Sequence, residues 1–258
     1  MNNTNKTQEW EPTSEEWNYD ARRLKKSYQH MNIVSSDFPN YKSIPKLINC
    51  HLVTVSICNK IRLIQKKLDI IITLHTKSIV INPLSHPFID GPKNVMLPYA
   101  SNPSLIHEYK LEIESMVYIM RRVLDSLVQL SYVVTNYNDI QESRIIAYNE
   151  IGRFSDLMNV KIEIDKIIIG NDIYKSDETK FLKTINHLFN SFKHSLIHDE
   201  SYNQVCNETP SVVSYQAKQN NHNKTIIIHN HNIHHLVMGF QDTVLRIIDN
   251  QKLYILNN

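Results

Sequence analysis

Asn190, His194 and His198 recur every four residues within NSFKHSLIH (190–198), and His187 precedes them by one turn. On an α-helix that spacing aligns an amide and several imidazoles along one ridge. Imidazole exchanges protons near neutral pH, and an asparagine can orient a ring or a phosphate oxygen, so the ridge holds the parts for acid–base work on a phosphodiester. Lys193 and Lys183 add positive charge to the same segment. A helix must also turn some polar face to water, and a chain rich in Asn, Lys and His can produce such a ridge with no function attached.

The other reactive residue types are less organised. His229, His231, His234 and His235 could bind zinc or nickel on paper, but strand alternation already accounts for His229 and His231 as neighbours on one face. No carboxylate or cysteine follows them at ligand spacing, so no metal site is expected. Cys50, Cys58 and Cys206 form neither a close pair nor a CxxC, which argues against a disulfide framework and for a reducing compartment. Ser195 lacks the glycine-flanked elbow of a serine nucleophile. Glu112 and Glu114 point about 200° apart on a helix and make no carboxylate pair. With no GxGxxG, phosphate-binding loop or HExxH, no cofactor is expected.

The elements that must carry these residues are mostly helices. Residues 1–13 are polar, and Glu15–Asn32 reads as a first helix bearing Arg22, Arg23, Lys25 and Lys26. A second helical region spans about Ile44–Thr76, where Ile57, Ile61, Ile64, Leu68 and Ile71 recur three or four apart, with Lys60, Lys66 and Lys67 between them. Between Lys77 and Ser101, prolines at 83, 87, 92 and 98 flank short β-prone pieces at Ser78–Ile81 and Asn94–Leu97, with a turn at Asp90-Gly91. That pattern predicts a loop or small hairpin insertion.

A long helix follows, opened by Asn102 and Pro103, with Leu105, Tyr109, Ile113, Met116, Met120, Val123, Leu127, Leu130 and Val134 at unbroken helical spacing. Glu112, Glu114, Arg121, Arg122 and Asp125 ride on it as solvated or ion-paired side chains. A further helix is expected over Asn138–Met158. The segment KIEIDKIIIG (161–170) reads as a short strand, and Ser176–Glu178 opens the helix that carries the histidine ridge. Two β-prone runs at 211–217 and 224–232 form a hairpin, and an amphipathic helix over His234–Leu253 ends the chain.

Bulk properties fit this outline. Across 258 residues, 41% are hydrophobic and 21% charged, which suits a globular chain rather than a disordered one. Only four glycines occur, fewer than a many-turned β-sandwich needs. A net charge of +2 supplies no global field for nucleic acid or membrane, so any such partner must use a local patch. The opening segment MNNTNKTQEWEPTSEEW has no apolar signal core and no window approaches a membrane span, so a cytoplasmic location is expected. The division expected is an N-terminal helical region with its insertion (1–101) and a helical bundle with hairpin and final helix (102–258), possible as one continuous domain.

A long helix with ExxxYxxRRxxDSL (114–127), followed after an interval by a helix ending NSFKHS, resembles the HEPN superfamily over about residues 103–200. The resemblance implies a mainly α fold, an antiparallel helical bundle, with the hairpin as an extension. It also implies a metal-independent endoribonuclease acting as a homodimer on an RNA such as tRNA or mRNA. A toxin or antiphage-defence effector partnered by an antitoxin or a defence-complex protein is the setting it suggests. Catalytic members carry Arg, four to six residues, then His, often as Arg-Asn-x-x-x-His. Asn190 and His194 match that pattern, while Phe189 stands where the arginine belongs. Lys193 with His198 gives a shifted Lys-x4-His version. The resemblance therefore assigns acid–base work to His194, orientation to Asn190 and phosphate-charge stabilisation to Lys193 or an arginine, with His198 completing the shifted motif, and substrate contact to Arg121, Arg122 and Asp125. A non-catalytic HEPN-like module that binds RNA or a protein is the alternative that Phe189 raises.

Overall fold

The computed structural model describes residues 31–81, 103–146, 163–170, 177–194, 210–217 and 226–258. The element order is α1 (Cys50–Ile81), α2 (Pro103–Thr135), α3 (Tyr137–Ser143), α4 (Glu163–Ile169), α5 (Asp177–His194), β1 (Ser211–Ala217), β2 (Ile226–Asn232) and α6 (Ile233–Asn257), preceded by a single 3-10 turn at Ser35–Asp37. The protein is mainly α with one antiparallel β-hairpin near its C-terminus. Among the described residues no helix is long and apolar enough to cross a membrane.

α2 is the axis of the bundle. The expected stripe is buried from Tyr109 to Leu130, with Leu105 and Val134 only half-buried at its ends. A second stripe of Val117, Leu124 and Val128 is buried beside it, so α2 is apolar around most of its circumference and must be wrapped rather than merely covered. α1 packs antiparallel along one side, with His75 beside Tyr109 at one end and Lys67 paired with Glu112 at 2.7 Å. α4, α5 and α6 close the other sides, and residues from Met31 to Ile248 share one core.

Several expectations need correction. α1 starts at Cys50, because Ile44 and Ile48 bridge to each other around Lys46 at φ 61°, a tight turn incompatible with helix. It then runs through Ser78–Ile81, which were expected to begin a loop or hairpin insertion around 77–101; the remainder of that insertion lies outside the described residues. The helix expected over 138–158 ends at Ser143, where Arg144 adopts a left-handed conformation at φ 59° and its amide caps Ile140. Its guanidinium donates to the Pro45 carbonyl at 2.6 Å, tying this corner to the start of α1.

The expected strand at 161–170 is the helix α4. A buried isoleucine-rich run reads equally as strand or helix from its apolarity alone. What decides it is the packing partner: Ile164, Ile167 and Ile168 are buried together at helical spacing against α2 and α6. Gly170 ends α4 at φ +71°, and Arg246 and Asn250 of α6 donate to the exposed carbonyls of Ile168 and Ile167.

The first helix expected over Glu15–Asn32 lies outside the described residues except for Met31 and Asn32, which are not helical. The hairpin and the last helix are as expected, with Leu236, Phe240, Val244 and Ile247 buried. β2 passes straight into α6, and the Asn232 side chain accepts from the amides of His234 and His235 as the cap between them.

One buried polar joint holds three distant segments. Gln251 of α6 is fully buried; its amide nitrogen donates to the Leu127 carbonyl and to Ser131 Oγ, and its oxygen accepts from the Tyr41 hydroxyl. Replacing Gln251 by Ala takes the acceptor from the Tyr41 hydroxyl and the donor from Ser131 Oγ, which keeps its own bond to the Leu127 carbonyl. The expected result is a loss of about 2–4 kcal/mol in urea denaturation, against less than about 1 kcal/mol for exposed Lys252→Ala.

Candidate functional site

α2 and α5 run antiparallel, since Tyr118 meets Phe189 while Arg121 reaches back to Asn186. Arg121 is only 7% exposed. Its Nε donates to Asp125 Oδ1 at 3.0 Å, its Nη1 donates to Asn186 Oδ1, and its guanidinium lies 5.7 Å from the centre of the Phe189 ring. An arginine of α2 thus meets the residue that precedes Asn190 in α5. Burial drives the Asp125 carboxyl up from its ordinary range, and Arg121 opposes that shift, followed by Arg122 and Lys60. Burial pulls Arg121 down, offset by Asp125.

Arg122, the next residue, is exposed. Lys60 of α1 comes close enough to feel both Arg122 and Asp125, and burial with Arg122 lowers its ammonium pKa. Three cations therefore surround one carboxylate, a local positive patch on a chain of nearly balanced charge.

α5 presents its residues in two directions. Phe181, Ile185 and Leu188 fill the core, while Asn186 turns to α2. Asn190 follows Asn186 by one turn and is half-buried; Lys193 is exposed. His194 is the last described residue of α5, and His198 lies outside the described residues. The structure thus brings Arg121, Asp125 and Asn186 together one turn from Asn190, and leaves Arg122 on the adjoining surface.

His187 does not extend a solvent-facing ridge. Its ring lies 6.1 Å from that of His229, which lies 5.8 Å from His231. Half-buried His187 and buried His229 and His231, far apart in the sequence, come together because the hairpin lays one face on α5. In that face Ser214 pairs in register with His229, Val212 with His231, and the Ser214 hydroxyl bonds that of Ser191. Both ring nitrogens of His231 lack a hydrogen-bond partner although the residue is 2% exposed. Among the described residues no three His, Cys, Asp or Glu are arranged to hold a metal ion. Cys50 and Cys58 are buried and free.

Sequence reasoning missed Asn186 and undervalued Phe189 and Tyr118. The signal for Asn186 was present, four residues before Asn190, but nothing in the sequence pairs it with an arginine 65 positions away. A cleft of about 330 Å³ lies instead where α2 meets α3 and the end of α6, lined by Lys42, Asn136, Tyr137 and Tyr254 among others. It contains none of the expected site residues and sits about 20 Å along α2 from Arg121. Compared with protein-family models, curated sequences and solved structures, the chain has no match.

Two outcomes test this arrangement. Arg121→Ala leaves the half-buried Asp125 carboxylate with only Arg122 and Lys60 near it and takes the donor from the buried Asn186 oxygen, so a loss of about 2–4 kcal/mol is expected by denaturant titration. Arg121→Lys should recover only part of it, because an ammonium cannot fork between two acceptors and cover a ring.

Burial, then His231 and His187, hold His229 down at about 3, and burial holds His231 at about 4. Both imidazoles stay neutral when folded and protonate near 6.5 when unfolded, so the stability they leave intact above about pH 6.5 is lost as pH falls toward the folded values. Between pH 7 and 5 the two should together cost on the order of 3–4 kcal/mol. His231→Leu should flatten that acid slope by about half in chemical denaturation across the same window.

Proposed function

We propose that the protein is a HEPN-like, metal-independent endoribonuclease that acts as a homodimer. One observation carries this reading: Arg121 of α2 packs on Phe189 and bonds Asn186, one turn from the Asn190 and His194 pair. On this reading Arg121 of the neighbouring helix packs where α5 carries Phe189 and orders the end of α5 that bears the motif. In this scheme His194 takes the proton of the RNA 2′-hydroxyl, Asn190 orients the phosphate or the imidazole, and His198 serves the leaving oxygen. Lys193 and Arg122, both exposed, stabilise the charge that builds on the phosphate. Arg121 and Asp125 then act through Asn186 and Phe189 to fix α5 against α2. The setting we propose is a toxin or defence effector held in check by a partner protein.

A second reading is favoured by the same geometry seen differently. The Arg121 guanidinium is committed to Asp125 and Asn186, so among the described residues no buried arginine fork is left for a phosphate. On that reading the chain is a non-catalytic HEPN-like module that binds RNA or a protein partner.

The deciding experiment incubates purified protein with total RNA and with tRNA in EDTA, beside a His194→Ala protein of matched circular dichroism and melting temperature. Cleavage by the parent and a loss of about 100-fold or more in the variant are expected for a group that moves the proton in the transition state. RNA left intact by the well-folded parent overturns the nuclease reading and leaves the binding module.

A further inference from the structure

Among the described phenylalanines, tyrosines and tryptophans Tyr118 alone is in the exposed class, at 51%. It projects from α2, the helix whose other large side chains are mostly buried, at the point where α2 faces the histidine-bearing end of α5. Its ring is not loose: it lies 6.0 Å from the Phe189 ring at an interplanar angle of 31°, and Phe189 is in turn covered by the Arg121 guanidinium 5.7 Å away. Tyr118, Phe189 and Arg121 thus form a stack anchored in the core by Asp125 and Asn186 and open to solvent at the tyrosine.

Cations lie on both sides of that open end. Arg122 follows Tyr118 by one turn of α2 and is exposed, with Lys60 of α1 beyond it. Lys193 follows Phe189 by one turn of α5 and is exposed. A fixed aromatic surface between exposed cations matches the requirements of a single nucleic-acid strand, whose bases need a flat apolar partner and whose phosphates need positive charge on either side. A duplex keeps its base faces stacked on one another and has none to offer.

We propose that Tyr118 is the base-stacking platform of this site, which makes its substrate an unpaired RNA segment. The proposal rests on the nuclease reading for its choice of RNA. It adds that one base of the bound strand lies on the Tyr118 ring while flanking phosphates contact Arg122 and Lys193. Tyr118 is then a specificity-determining residue, selecting loops and single strands over helical RNA.

The test uses the full chain carrying His194→Ala, so that the probe is not cut. Fluorescence anisotropy then measures binding of a short fluorescein-labelled RNA, alone and annealed to its complement, at two salt concentrations. Tyr118→Leu keeps apolar packing on Phe189 but removes the ring; it should weaken the single strand about ten-fold and leave the duplex unchanged. Tyr118→Phe should bind as the parent does. Arg122→Ala should weaken both forms and flatten the salt dependence.

Single-strand binding by Tyr118→Leu within about two-fold of the parent overturns the platform while leaving RNA recognition in place. A parent that binds neither form at low salt overturns the nuclease reading and the platform together. Sedimentation provides the remaining control: if Tyr118→Leu converts a dimer to a monomer and binding falls only in proportion, the ring is a subunit contact and the platform is overturned.

Discussion

The structure depends on the burial of α2. Met116, Val117, Met120, Val123, Leu124, Leu127, Val128 and Leu130 are all but inaccessible, and they occupy most of the helix circumference rather than one stripe. An apolar side chain of this size left in water forfeits about 1.5–3 kcal/mol, so a helix apolar on most sides is stable only when several others enclose it. α1 supplies one wall and α4, α5 and α6 supply the rest. Polar groups along α2 then survive only where a neighbour satisfies them, which is why Glu112 meets Lys67, Gln251 reaches Ser131, and Arg121 meets both Asp125 and Asn186.

The Arg121 joint shows how a buried charge constrains a candidate site. A guanidinium with two oxygen partners and an aromatic ring beneath it has little freedom to shift. It therefore fixes the rotation of α5 relative to α2, and with it the direction in which Asn190 faces. The same commitment ties the Arg121 guanidinium to Asp125 and Asn186, while Arg122 and Lys193 remain exposed on the adjoining surfaces. Phe189 is consequently the floor on which an arginine from another helix rests.

The hairpin is attached to the same helix from the other side. Its His229 and His231 face α5 with Val212 and Ser214, and the Ser191–Ser214 hydroxyl contact fixes the docking. Neutral imidazoles in a dry interface are tolerated at neutral pH and penalised in acid, so the docking of the hairpin on the helix of the candidate site is coupled to pH.

Periodicity alone determined α1, α2, α5 and α6, because a helix that buries one face must repeat its apolar residues every three or four positions, whatever it packs against. It likewise determined the hairpin, whose strands carry β-branched and alternating residues on either side of a polar turn. It failed where two conformations share one pattern: KIEIDKIIIG is apolar enough for strand or helix, and only the groove between α2 and α6, with Arg246 and Asn250 waiting for its carbonyls, makes it helical. The candidate site divides in the same way. The spacing of Asn190 and His194 is a local property and is legible in the sequence. The meeting of Arg121 with Phe189 and Asn186, and of His187 with His229, joins residues tens of positions apart. Such pairings follow from how enclosed helices rotate to bury their apolar arcs, and that is decided only when the whole core assembles.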